Sequence, residues 1–137
     1  MIDVVATNAE ILLALRMFET VGPKKVPNVK ANYALTKARR KFGEAAKDLD
    51  ATRLSLCEQY AHKNEDGTAK HTTVKNDLGQ DVDGFDLEDQ VGFATAYNAL
   101  LAISVTVEGV RAVTLDELEG TDLTLDELAG LGPLVTE

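Results

Sequence analysis

Cysteine is the scarcest reactive residue in the sequence, since Cys57 is the only one among 137 residues. A single cysteine cannot form an intrachain disulfide or build a cysteine-based zinc site. Its neighbours are mostly apolar, so we expect a buried and inert thiol. Long hydrophobic runs are also missing. The apolar run over residues 11–15 is too short to span a bilayer and follows no basic leader, so we expect neither export nor membrane insertion.

Motifs that carry known chemistry are missing as well. The sequence contains no phosphate-binding loop, dinucleotide fingerprint, nucleophile elbow or zinc-ligand spacing. No spacing brings His62 and His71, the only histidines, together with a carboxylate. Asp81-Val82-Asp83-Gly84 has the alternating carboxylates of a calcium loop, but Gly79 and Gln90 would occupy its first and last ligand positions, which favours an acidic turn. We predict no enzymatic activity, no metal and no cofactor.

Charge is present in quantity and is divided between the two halves of the chain. Residues 1–63 contain 11 Lys and Arg against 7 Asp and Glu, whereas residues 64–137 contain 3 against 16. The net charge of −9 disfavours direct binding to nucleic acid or to an anionic membrane. Halves of opposite sign favour association within the chain, between copies, or with another protein.

Helical signals dominate the first half. Thr7-Asn8-Ala9-Glu10 has the spacing of a capping box and predicts a helix that ends near Val21, before Gly22-Pro23. Pro27 is suited to the first turn of a second helix, predicted over residues 28–62. The two apolar stripes predict an antiparallel hairpin. The second helix would be roughly 50 Å long, more than the first can cover, so we expect a homo-oligomer.

The second half is predicted to be more varied. Residues 64–86 lack a helical period and contain turn signals, which indicates a hairpin or loop. An apolar stripe predicts a third helix over residues 87–102, packed on the helical hairpin, with the acidic Asp86, Glu88 and Asp89 suited to its positive N-terminus. Residues 104–110 alternate like a strand that would pair with residues 70–75. The expected fold is mainly α: a long antiparallel helical hairpin, a third helix, a small β element and short C-terminal helical turns.

A ten-residue repeat occupies the C-terminal end. Its units, Thr114-Leu115-Asp116-Glu117 and Thr124-Leu125-Asp126-Glu127, are both capping boxes followed by glycine. Each encodes about one and a half helical turns, which need apolar support because such short helices are marginal in water. The leucines of this tail are expected to pack on the chain's own core, with docking into another subunit as the alternative.

Three sets of side chains are candidates for binding a partner. The basic side chains can contact phosphate, form a solvated face or pair with the acidic half of the chain. The acidic side chains belong to a face that also includes Asp77, Glu88 and Asp89. The candidates are the basic Lys37, Arg39, Arg40 and Lys41, the acidic Asp81, Asp83 and Asp86, and the leucines Leu125, Leu128 and Leu131.

Several segments together resemble a group of small uncharacterised proteins of tailed bacteriophages. They are the opening Thr7-Asn8-Ala9-Glu10-Ile11, the helix from Pro27 to Tyr60 with Tyr33-Ala34-Leu35-Thr36-Lys37, the turn Asn64-Glu65-Asp66-Gly67, and the closing Leu115-Asp116-Glu117-Leu118-Glu119-Gly120. The similarity covers most of the chain, and none of its motifs is catalytic. The resemblance implies phage origin and no particular mechanism.

These observations favour a non-enzymatic phage protein that acts by protein–protein binding, as a small virion structural or assembly component. Its partners would be phage structural proteins or further copies of itself, in the host cytoplasm during assembly and in the virion. The alternative is an acidic inhibitor of a host or defence protein that binds nucleic acid. We expect one domain over residues 1–137, with a basic hairpin over 1–63, a turn or hairpin segment over 64–86, and an acidic helix, short strand and leucine-rich tail over 87–137.

Overall fold

The computed structural model describes residues 3–76 and 78–137. Contacts divide the chain into two compact units. Unit 1 combines the residues up to Asp48 with Leu101–Glu137, and unit 2 is Leu49–Leu100. In chain order the elements are β1 (Val4–Thr7), α1 (Asn8–Val21), α2 (Val29–Tyr60), β2 (His71–Lys75), β3 (Asp81–Phe85), α3 (Gln90–Leu101), β4 (Ser104–Val107), β5 (Val113–Thr114), a 3-10 turn (Asp116–Leu118), α4 (Leu125–Leu131), a second 3-10 turn (Gly132–Leu134) and β6 (Val135–Thr136).

The first helix starts and stops where its sequence signals predict. The Thr7 hydroxyl accepts a hydrogen bond from the Glu10 amide at 3.1 Å, and the Glu10 carboxylate accepts one from the Thr7 amide at 2.9 Å. Each bond satisfies an amide that has no partner inside the helix. At the other end the Gly22 amide donates to the Phe18 carbonyl at 2.8 Å, and the helix ends at Val21.

The second helix has nearly the predicted length, with 32 residues against 35, but a different first residue. It begins at Val29, because the Asn28 side-chain oxygen accepts a hydrogen bond from the Ala31 amide at 3.0 Å. Asn28 is therefore the N-cap, and Pro27 lies before the helix rather than in its first turn. The expectation for Pro27 was wrong because an asparagine side chain specifies the start more directly than a nearby proline.

Unit 1 contains the hydrophobic core. α1 and α2 contact each other, and the largest side chains with almost no exposure are Ile11, Phe42, Val110, Val113, Leu131 and Leu134. α4 packs closely on α1 because residue 130 is glycine; a Cβ atom at Gly130 would overlap the Met17 side chain. The leucine-rich tail thus packs mainly on its own core, as expected. Two short sheets complete this unit: β1 pairs with β4 in antiparallel fashion, and β5 pairs with β6 in parallel.

Unit 2 is organised by backbone hydrogen bonds rather than by a core. β2 and β3 form an antiparallel hairpin, with Lys75 opposite Asp81. The chain that leaves α2 joins this hairpin, since the His62 amide donates to the Asp86 carbonyl at 2.8 Å and the Lys70 amide donates to the His62 carbonyl at 2.7 Å. Among the described residues of this unit, only Leu49, Cys57 and Ala61 are buried.

The architecture is therefore mixed α/β, with four α-helices and three two-stranded sheets among the described residues. Helix predominates as predicted, but strand is more abundant than one small β element. β4 pairs with β1 and not with residues 70–75, which instead pair with β3. Residues 81–84 lie in a strand, so the expected acidic turn at that position was wrong.

The start of α3 also differs from the prediction. Its first residue is Gln90, three positions after the predicted start. The Asp89 carboxylate accepts a hydrogen bond from the Gly92 amide at 2.8 Å and serves as the helix cap. Asp89 thus lies at the positive N-terminus of the helix, as expected, and Asp86 and Glu88 precede it.

Candidate interaction surfaces

A cleft in unit 1 combines apolar and cationic side chains. It has a volume of about 680 Å³ and is lined by Val29, Lys30, Tyr33, Ala34, Lys37, Gly109, Arg111 and Glu117. Val29 is 80% exposed and Tyr33 is 70% exposed, which is unusual for side chains of this size in a folded helix. A volume of this size is typical of sites that bind ligands.

Arg111 and Glu117 form the rigid wall of this cleft. Two guanidinium nitrogens of Arg111 donate to the two carboxylate oxygens of Glu117, at 2.7 and 2.9 Å. Arg111 also donates to the Ala112 carbonyl at 3.1 Å. The hydrogen bond from Arg111, followed by the Thr114 amide, lowers the pKa of Glu117 from 4.5 to about 2. The pair neutralises itself, so the unbalanced positive charge of the cleft comes from Lys30 and Lys37.

The four basic candidates of the sequence do not form one surface. Lys37 lines the cleft, and Arg39 lines a smaller pocket of about 100 Å³ beside the end of α1. Arg40 is exposed, and the Lys41 ammonium lies 3.8 Å from the Glu44 carboxylate. Because 3.6 residues make one helical turn, Lys37 and Lys41 share a side of α2 that Arg39 does not. Lys30, seven residues before Lys37, belongs to the same side and was not among the candidates.

The three leucine candidates separate into core and surface positions. Leu131 is completely buried, and Leu128 packs half-buried against the same core. Leu125, at the first position of α4, is 85% exposed. Of the three, only Leu125 can reach a partner without unfolding α4.

A nearly buried ion pair fixes the segment around Leu125. The Lys24 ammonium donates to a Glu127 carboxylate oxygen at 2.6 Å and to the Asp122 carbonyl at 2.6 Å. Thr124 and Glu127 also complete the predicted capping box, with both hydrogen bonds between 3.0 and 3.1 Å. The Lys24 hydrogen bond is the main reason that the pKa of Glu127 falls from 4.5 to about 2. The sequence pattern identified this box but gave no sign of Lys24.

The acidic candidates of unit 2 already have basic partners. Asp81 pairs with Lys75 at 2.7 Å, the His71 Nδ1 atom lies 3.0 Å from the Asp83 carboxylate, and the Asp86 carboxylate lies 3.7 Å from the Lys70 ammonium. Strand β2 is thus basic where β3 is acidic, and the exposed pairs cross the hairpin. Asp77, assigned to the same acidic face, lies outside the described residues.

Helix α3 is the largest feature that sequence reasoning misjudged. Its apolar stripe was expected to be buried, but none of its residues is buried. Val91 is 77% exposed, and Phe93 and Tyr97 form a half-exposed stack with their ring centroids 5.7 Å apart. Residues 90–101 contain no charged residue, and a helix without charge is normally covered by other protein, which is why burial was expected.

The remaining reactive side chains do not converge. Across residues 3–76 and 78–137, no group of three or more His, Cys, Asp or Glu is placed to hold a metal ion. His62 and His71 are both exposed. Burial raises the pKa of the Cys57 thiol, and the nearby Arg53 guanidinium offsets only part of this effect. A thiol with a raised pKa is a poor nucleophile at neutral pH.

Comparisons with protein-family models, curated proteins and solved structures gave no match to this chain. In the part of the chain that the structure describes, no helix combines the length and the apolar character needed to cross a membrane.

Proposed function

We propose that this chain is a non-enzymatic bacteriophage protein that acts by protein–protein binding, as a small structural or assembly component of the virion. The phage assignment comes from the sequence resemblance. The binding role is supported by one observation above all: unit 2 leaves its apolar side chains uncovered. In this proposal the antiparallel hairpin of α1 and α2 is the rigid part, and unit 2 is the part that a partner completes.

Uncovered apolar surface is unfavourable for a chain that acts alone. Each buried square ångström of apolar surface contributes about 25 cal/mol to stability, and unit 2 gains little of this within one chain. A two-stranded hairpin is marginally stable by itself and normally needs a covering element. The described part of unit 2 buries three side chains, while α3 presents Val91, Phe93 and Tyr97 to solvent or to partial cover. A protein partner supplies the missing cover.

The aromatic pair on α3 makes this surface suited to protein. Stacked aromatic rings give large contact areas at a small loss of side-chain entropy, which is why they are frequent at binding hot spots. Gly92 leaves room for the Asp89 side chain that caps α3, since a Cβ atom there would overlap an Asp89 carboxylate oxygen and lie 3.0 Å from the ring of Tyr60.

The alternative, an acidic inhibitor that mimics nucleic acid, has weaker support. A mimic needs carboxylates whose field reaches the target, as phosphates do. Lys75 and Lys70 lie beside Asp81 and Asp86 and offset part of their negative charge, and His71 lies beside Asp83. The remaining acidic charge is spread over both units.

Complementation of a phage that lacks this gene tests the proposal. Wild-type protein should restore particle yield, whereas Phe93→Ser with Tyr97→Ser should not, because the binding surface is lost while few buried contacts are removed. Val5→Ser, which changes an exposed valine on β1, is the matched control and should complement fully. Full yield from the deletion phage without any complementation would contradict the proposal.

A further inference from the structure

We propose that the cleft of unit 1 binds residues 122–126 of a second copy of this chain, with Leu125 as the anchor. This inference rests on the proposed function only in assuming that the protein acts by binding protein. It adds a specific partner, a second copy, and a specific site, the cleft of unit 1, which is separate from the uncovered surface of unit 2. Three observations support it: the character of the cleft, the character of the segment, and the rigidity of both.

The cleft has the chemistry to accept an acidic segment with an apolar side chain. Val29, Tyr33 and Ala34 give it an apolar floor, and Lys30 and Lys37 carry its positive charge. Among the residues that the structure describes, neither lysine forms an ion pair, whereas Arg111 is already neutralised by Glu117. A bound carboxylate therefore meets two ammonium groups that need not first release another partner.

Residues 122–126 have the complementary character. Leu125 is 85% exposed, and the exposed Asp122 and Asp126 flank it with negative charge. The other leucines of α4, Leu128 and Leu131, pack on the core, so Leu125 is the leucine of this helix that the chain's own core does not cover. An exposed leucine between carboxylates matches an apolar cleft between ammonium groups in polarity and in charge.

Both surfaces are fixed before they meet. Lys24 holds the Asp122 carbonyl and Glu127, and the Thr124 capping box holds the first turn of α4. The bidentate pair of Arg111 and Glu117 does the same for the cleft wall. Groups that are already ordered lose little entropy on binding, which raises affinity for a given contact area.

The cleft and the Leu125 segment are different surfaces of unit 1. Two copies can exchange them reciprocally in a two-fold dimer, or each copy can use its cleft for one neighbour and its Leu125 segment for another, which generates an open chain or a closed ring. The charges make the contact weaken as ionic strength rises through the range where the Debye length falls below about 10 Å.

Sedimentation of the full-length protein tests the inference with two kinds of variant. Leu125→Ser removes the anchor, and Lys30→Glu with Lys37→Glu reverses the charge of the cleft. Each should weaken self-association at least about tenfold, as loss of a central contact does. The matched controls are Leu78→Ser, at a leucine that is 81% exposed, and Lys25→Glu with Lys47→Glu, which make the same change in net charge. Both controls should associate like the wild type.

Mixing the two variants gives the sharper result. Each variant alone should associate at least about tenfold more weakly than the wild type, whereas an equimolar mixture should form dimers and stop there, because only one pair of intact surfaces remains. Circular dichroism confirms that every variant is folded. A mixture that stays monomeric overturns the contact between the cleft and the Leu125 segment, and variants that associate like the wild type overturn the cleft as the site.

The same experiment separates this inference from the proposed function. If Phe93→Ser abolishes self-association and Leu125→Ser leaves it unchanged, the inference fails while protein binding through unit 2 stands. If the wild type is a monomer at every concentration but is found in particles, the inference again fails alone. A monomer that is also absent from particles and their precursors overturns both.

Discussion

Replacing Phe42 by alanine should be among the most destabilising single changes in this chain. Phe42 has 0% of its side-chain surface exposed and lies in the core of unit 1, where α1, α2 and the C-terminal tail meet. The change to alanine deletes a ring that is buried away from water, and it leaves a cavity that the neighbouring helices cannot fill without moving. Measured Phe→Ala changes at such positions lower the free energy of unfolding by about 3–5 kcal/mol.

That loss is large relative to the stability of a small domain, which is about 5–15 kcal/mol. A loss of 1 kcal/mol lowers the melting temperature by about 4–8 °C for 60–100 residues and by about 2–4 °C for 150–250 residues, so this chain of 137 residues should lose about 4 °C per kcal/mol and Phe42→Ala should lower its melting temperature by roughly 12–20 °C. Scanning calorimetry and far-ultraviolet circular dichroism measure the change at a protein concentration low enough to limit self-association.

Tyr33→Ala is the matched control, since Tyr33 is an aromatic residue of the same helix that is 70% exposed. Surface changes of this kind usually alter stability by no more than about 0.5 kcal/mol. Equal melting temperatures for the two variants would refute the reasoning, because Phe42 would then face solvent or a partner instead of the core.

Three further predictions concern pH, local stability and hairpin charge. The lowered pKa of Glu127 contributes stability that is present above pH 4.5 and is lost as the pH falls towards 2. Glu127→Gln should therefore make the free energy of unfolding less dependent on pH in that range. An unchanged dependence of this free energy on pH would contradict the stabilising role of the Lys24 pair. Hydrogen exchange should be faster at Thr72 and Val74 than at core amides of unit 1, and equal protection would show that unit 2 has cover of its own. Asp81→Lys should weaken the hairpin by about 0.2–1 kcal/mol, and adding Lys75→Asp should restore the loss in a double-mutant cycle.

Sequence reasoning succeeded where the determinants are local. The three capping boxes at Thr7, Thr114 and Thr124 all form their reciprocal hydrogen bonds. Each depends on residues only three positions apart, which the sequence displays directly. The length of α2 and the hairpin character of residues 64–86 follow from equally local signals, namely apolar periodicity and turn residues.

It failed where the determinants are distant in the chain. β1 pairs with β4, which lies about a hundred residues further along the chain. The four residues of β1 are too few for their pattern to predict a strand. The cleft joins residues 29–37 to residues 109–117, and Lys24 reaches Glu127. Such contacts depend on how the core brings segments together, and no spacing along the chain encodes them.

The burial of α3 was misjudged for a different reason. Its apolar period correctly predicted a helix, but periodicity does not say whether the covering surface lies in the same chain. The lack of charge on α3 indicates a missing partner only when it is combined with the small number of buried residues in unit 2. That combination is the reason to seek a partner outside the chain.

Quantitative mass spectrometry of gradient-purified phage particles and their assembly precursors tests the central claim most directly. If the chain acts by binding phage structural proteins, peptides from unit 1 and unit 2 should be found at a fixed ratio to a major structural protein in at least one of these fractions. The ratio should persist through repeated purification. Absence of the chain from every fraction, with the protein abundant in the infected-cell lysate, would contradict the account.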